Sequence, residues 1–112
     1  MPVIDRTTFN ELKQISGAEF INELIDTFLD DAPRLYAELK SGLAEGNADS
    51  FRRAAHSLKS NAATFGAGRL AELAKDLEGI GRENRLGDTG DRLNVLNEEL
   101  VSACDELRGL KS

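Results

Sequence analysis

The apolar residues of this chain recur at spacings of three and four almost from end to end, and no stretch alternates convincingly with period two. That spacing lines apolar side chains along one stripe of a helix and leaves a strand no face to bury. The prolines stand at positions 2 and 33, so none interrupts residues 34–112. The pattern predicts an all-α fold.

Glycines and capping residues divide the pattern into five helices. The first is short. Asp5 is its N-cap, Ile4 and Phe9 form a hydrophobic staple, Phe9, Leu12 and Ile15 share a face, and Gly17 ends it. The second starts near Ala18 and carries Ile21, Ile25, Phe28, Ala32, Leu35, Leu39 and Leu43. This stripe keeps its phase across Pro33, which predicts one helix bent at the proline, and Gly46 ends it. The third runs from an Asn47 cap to Phe65, with Phe51, Ala55, Leu58, Ala62 and Phe65 inward. The fourth carries Leu70, Leu73, Leu77 and Ile80 and should fray at Gly79 and Gly81. GDTGD at 87–91 reads as a loop with capping residues. The fifth helix carries Leu93, Leu96, Leu100, Ala103, Cys104 and Leu107, and GLKS at 109–112 reads as a frayed end or the start of a link. Four long helices on short connections make an antiparallel up-down four-helix bundle, with the short N-terminal helix over one end. The 112 residues suffice for one domain, 1–112.

Composition removes several function classes. A net charge of −6 argues against nucleic acid, whose binding rests on neutralising phosphates. No apolar run approaches the ~20 residues of a membrane span, and MPVIDRTTF lacks the basic-then-apolar order of a signal peptide. A lone Cys104 permits no internal disulfide and fits a reducing cytoplasm. Met1 and the compact length favour a free-standing protein over an excised piece, and a core that closes on itself favours a monomer.

The single histidine, His56, follows the inward Ala55 and so is rotated about 100° from a core position. Its stripe is Arg52, His56, Lys59, Ser60 and Ala63, which predicts an imidazole at least partly exposed on mid-helix. Residues 50–71 contain no Asp or Glu but include Arg52, Arg53, Lys59 and Arg69. On an acidic chain, such a window should favour an anion, and His56 should stand without a carboxylate beside it. Lys59, one turn on, suits a phosphoryl group as a point charge, and as an exposed lysine it should add little to stability. Small neighbours, Ala55, Ser57, Ser60 and Ala63, would let a large partner approach. Nothing in the pattern supplies the converging polar cleft of a small-molecule site. Taken singly, each sign has an ordinary reading: a lone surface histidine, a solvated charged face, or alanines that are good helix formers.

Together these residues resemble a known family. His56-Ser57-Leu58-Lys59-Ser60, preceded by Ala54-Ala55 and followed by Phe65-Gly66-Ala67, Leu70, Leu73 and Leu77-Glu78, is similar to the signature of histidine-containing phosphotransfer domains. Phe28 to Pro33 resembles the family's second helix, and Ser60 stands where many members have glycine. The resemblance implies a phosphorelay intermediate. His56 would take a phosphoryl group at Nε2 from a receiver aspartyl phosphate or a sensor kinase and pass it to another receiver aspartate. Lys59 would screen the phosphoryl charge and Ser60 would leave room for the receiver. The chain would need no cofactor of its own, since the receiver would bring Mg²⁺. Response-regulator receivers and a sensor histidine kinase, including the hybrid kind, would be the partners.

Imidazole suits the task, because its neutral form predominates near pH 7 and offers a lone pair. Docking needs apolar surface near it. A second stripe on the second helix, Phe20, Leu24, Thr27 and Asp31, is the candidate, with Arg52, Ser60 and Ala63 around the histidine and Leu12 and Ile15 as additions. Equally, the first helix could simply cover Phe20 and Leu24. Two other readings stand beside this one: a non-catalytic helical protein-binding module with an incidental histidine, and an autonomous kinase. The second lacks a Gly-rich nucleotide loop with its lysine.

Overall fold

The computed structural model describes residues 3–111, and Ser112 of the GLKS tail lies outside them. Five α-helices follow one another: α1 (Arg6–Ser16), α2 (Ala18–Glu45), α3 (Ala48–Thr64), α4 (Gly68–Arg82) and α5 (Arg92–Leu110). Among the described residues there is no strand.

The helix ends follow local chemistry. The Asp5 carboxylate accepts from the Thr7 amide at 3.0 Å, and the Asn47 side chain accepts from the Ser50 amide at 3.0 Å. Both satisfy amides that the first helical turn leaves without partners. Gly46 turns out of α2 at φ 67°, in the left-handed region that glycine enters without strain. α2 runs unbroken through Pro33. Two expectations fail. α4 does not fray at Gly79 and Gly81 but continues to Arg82, because Gly81 is a buried packing point. GDTGD is not all loop: Leu86–Asp88 form one turn of 3-10 helix, and the Asp91 side chain accepts from Asn94 rather than capping the backbone of α5.

α3 packs on α2 and α4, and α5 closes the ring against both of these. That is the up-down bundle the spacing predicts. Its interior is one continuous apolar cluster, with Phe51, Leu58, Leu70, Leu77, Leu96 and Leu107 fully buried. Leu73, read as core, is only half-buried, and Ala74 takes its place.

Helix length sets up an overhang. At about 1.5 Å per residue, α2 spans roughly 42 Å and α3 roughly 25 Å. Their antiparallel register is pinned where Gly42 meets Phe51 and where Phe28 meets Phe65 edge to face at 5.5 Å. Residues 18–27 of α2 therefore project past the α3–α4 corner. α1 folds back along this overhang and buries Phe9, while the Asp5 amide donates to the Gly66 carbonyl at 3.0 Å.

Candidate functional site

α3 directs Phe51, Ala54, Ala55, Leu58 and Ala62 into the core, which turns His56 outward beside α4. The imidazole side chain is 57% exposed. It is not without a carboxylate, however. Nδ1 lies 2.8 Å from Oε2 of Glu78, whose side chain is only 6% exposed. Lys59 Nζ donates to Oε1 of the same carboxylate at 2.6 Å, and Arg82 Nη2 stands 3.5 Å from Oε2. The expectation of an acid-free histidine is thus corrected. The acid comes from a different helix, so a search along α3 could not find it.

The Lys59 hydrogen bond holds the Glu78 carboxyl below the usual glutamate range, against the opposing effect of burial and with further help from His56. An ionised carboxylate only accepts hydrogen bonds. Nδ1 must therefore carry the proton, and the lone pair of the neutral ring is left on Nε2. One buried glutamate thus sets the tautomer of an exposed imidazole.

The close approach of α3 and α4 makes this contact possible. A β-carbon on Gly81 would stand 2.9 Å from Arg52 Cβ and 3.0 Å from the Arg52 backbone. Ala71, Ala74, Glu78 and Gly81 share one face of α4 at spacings of three and four. A glutamate set among small residues on a buried stripe demands partners, and that was the signal available in the sequence.

The positive window around His56 is also corrected. Arg52 and Arg53 both pair with Asp49, at 2.9 and 3.2 Å, and Arg69 faces Glu99 at 3.6 Å. Every basic residue of the window has a carboxylate partner, drawn from one turn upstream or from another helix. Lys59 is not the free surface lysine expected from its stripe: it is 31% exposed and neutralises the buried Glu78.

The second α2 stripe, the candidate for docking, is placed unevenly. Phe20 is 50% exposed on the overhang, Leu24 is half-buried, and Ile15 of α1 is 86% exposed. Leu24 packs partly against the core, while Phe20 stays open. Thr27 is exposed and its hydroxyl donates to the Glu23 carbonyl, and Asp31 accepts from Arg34 at 3.3 Å. The stripe continues through Arg34 and Glu38, which the sequence reading left out. These two line a cleft between α2 and α3 with Arg53 and Ser57, next to His56. Ser60 and Ala63 are exposed on α3, while Arg52 is half-buried against Gly81. By helical rise, Phe20 lies roughly 25 Å from His56 along the bundle axis, within the ~30 Å breadth of a small domain.

Among the described residues no three His, Cys, Asp or Glu side chains cluster to hold a metal ion. No helix among the described residues is long and apolar enough to cross a membrane. A cleft of about 220 Å³ between α2 and α5, beside Tyr36 and Cys104, is lined by neither His56, Lys59, Glu78 nor any residue of the second α2 stripe, and falls below the ~300–1,000 Å³ of ordinary ligand pockets.

Comparison with protein families matches residues 23–109 to the Hpt domain. Two solved structures share the fold. Histidine-containing phosphotransfer protein B of Pseudomonas aeruginosa PAO1 aligns with a TM-score of 0.91 at 25% identity, over 98% of this chain and 95% of that one. A rice protein, named by inference as a histidine-containing phosphotransfer protein, aligns with a TM-score of 0.81 at 20% identity, over 95% and 79%. Comparison with curated proteins returns no match.

Proposed function

The chain belongs to the Hpt domain family, whose work is histidine phosphotransfer in phosphorelays, and on that premise we propose that His56 is its phosphoryl acceptor. The observation that carries this reading is the geometry of one ring: a side chain 57% exposed, held at Nδ1 by buried Glu78.

The transfer proceeds from that geometry. The Nε2 lone pair attacks the phosphorus of a receiver aspartyl phosphate in line with the acyl oxygen. The N–P bond forms, the P–O bond breaks, and the aspartate leaves as carboxylate. The ring becomes cationic with its proton still on Nδ1, and the Glu78 carboxylate stabilises that charge where it develops. Lys59, one turn along α3, screens the phosphoryl oxygens. The return step reverses these bonds toward another receiver aspartate. Phosphoryl transfer asks mainly for positioning and charge neutralisation, so the receiver's Mg²⁺ and acidic pocket complete the site.

Hpt domains exchange phosphoryl groups with receiver domains and kinases. The docking surface proposed for them runs from Phe20 and Ile15 through Leu24, Thr27, Asp31 and Arg34 to Ser57 and Ser60. A monomer in the cytoplasm is part of the same proposal, supported by a core that closes on itself and a buried free Cys104.

The test is incubation with a phosphorylated receiver domain. The wild type should acquire acid-labile, alkali-stable label, and His56→Gln should acquire none. Label that survives in the variant would overturn the assignment, and no label on either protein would favour a binding module with an incidental histidine. ATP alone should label neither.

A further inference from the structure

Glu106, on α5, points at the start of the chain. Its Oε2 accepts the Val3 amide at 2.7 Å and the Ile4 amide at 3.2 Å. Its Oε1 accepts from Arg6 Nε and Nη2, both at 3.3 Å. One carboxylate, 15% exposed, is thus occupied by donors a hundred or more residues away in sequence. The Asp5 amide, lying between them, bonds the Gly66 carbonyl at the α3–α4 corner.

This clasp matters because of what α1 lacks. Phe9 is its one fully buried residue. Its last turn ends in an Ile15 that is almost wholly exposed, and its packing within the bundle is chiefly on the α2 overhang. α1 is therefore held in place by Ile4 and Phe9, by the covalent turn at Gly17, and by the polar clasp on its first turn. It also carries the exposed Ile15, five residues before the exposed Phe20 in the chain. Two amides and a guanidinium on one half-buried carboxylate fix both position and direction at the start of α1, which apolar contact alone does not do.

We propose that Glu106 is a positioning residue for receiver docking: it clasps residues 3–6 to the end of the bundle and so holds α1 where Leu12 and Ile15 extend the apolar surface of Phe20 and Leu24. Glu106 acts through α1 and never approaches His56. Its loss should weaken docking without altering the reactivity of the imidazole. The inference rests on the docking surface proposed above.

The experiment compares Glu106→Ala, Arg6→Ala and the double variant Ile15→Ala/Phe20→Ala with wild type, using two phosphodonors. The phosphorylated receiver reports docking and chemistry together. Phosphoramidate reports chemistry alone: the His56 Nε2–P bond forms, the donor N–P bond breaks and ammonia leaves. Glu106→Ala should raise KM for the receiver about fivefold or more with kcat unchanged, Arg6→Ala should raise it less, and phosphoramidate labelling should proceed at the wild-type rate. Glu106→Gln, which keeps an acceptor for the two amides, should recover part of the KM. An unchanged KM in Glu106→Ala, with a raised one in Ile15→Ala/Phe20→Ala, overturns the clasp and leaves the docking surface standing. An unchanged KM in the double variant removes the docking surface and the clasp's role with it. A slowed phosphoramidate reaction in Glu106→Ala also overturns the proposal, since the defect would then lie at His56.

Discussion

Between α3 and α4, Gly81 sits so close to Arg52 that a β-carbon would meet backbone at 3.0 Å, and a buried glutamate bridges the two helices to an imidazole and a lysine. Between α1 and α2, by contrast, Ile15 and Phe20 stand open, and the short helix is held by Phe9, Ile4 and a clasp at its far end. The first region holds a ring by a hydrogen bond to a buried carboxylate and the second presents a surface. Chemistry that depends on one lone pair needs the former. A partner that must dock, transfer and leave is served by the latter, because exposed apolar area is gained on binding and released afterwards.

The sharpest way to break the contrast is to force the tight seam apart. Gly81→Ala should destabilise the fold by about 1–3 kcal/mol, the usual effect of overpacking, and should slow transfer as Glu78 moves away from His56. Thermal unfolding and receiver-dependent labelling read both. A wild-type melting curve would mean that α4 shifts without strain.

Next in size is Glu78→Gln. The amide can meet Nδ1 with either its oxygen or its NH₂, so the tautomer is no longer set, and transfer should slow by at least about tenfold and at most by the ~10²–10³ that one preorganised electrostatic partner supplies. The same variant tests the linkage to pH. Glu78 has a folded-state pKa below the ordinary glutamate value, so the unfolded chain takes up the proton more readily. Its stabilisation is present above the unfolded glutamate pKa and is lost as pH falls through the lower, folded one. Wild type should therefore exceed the variant in stability at neutral pH, and the two should converge in acid. Parallel curves down to the lowest pH would contradict the depressed pKa.

Lys59→Ala should be milder. It removes the main neutraliser of a buried carboxylate, yet Arg82 and His56 remain beside it. The stability cost should be about 1–2 kcal/mol, short of the ~3–5 for breaking a fully buried pair. Labelling from the receiver should slow, because the phosphoryl oxygens lose their point charge. On the other side of the comparison, Ile15→Ala should leave stability within about 0.5 kcal/mol, as surface changes do. A larger loss in calorimetry would show that the open corner is part of the folded core after all.

How far the sequence could be read differs between these regions for a physical reason. Asp5, Asn47 and Gly46 act on backbone within a turn of themselves, so the limits of α1, α2 and α3 could be read from neighbours in the chain. Heptad-like apolar spacing placed Phe51, Leu58, Leu77 and Leu96 inside for the same reason. His56 was legible as an outward residue because it follows a core position. The carboxylate that orients it was not, because Glu78 lies 22 residues away on another helix and meets it only where small residues let α3 and α4 converge. The same limit hid the partners of Arg69 and Lys59 and made a neutralised surface look like a basic one.

What the sequence alone determined is the helical periodicity, the inward stripe and the outward placement of one imidazole, since each follows from 3.6 residues per turn and local capping. What only the tertiary structure decided is which nitrogen of that imidazole is free. That depends on how closely two helices approach, and the distance is set by residues on both of them at once.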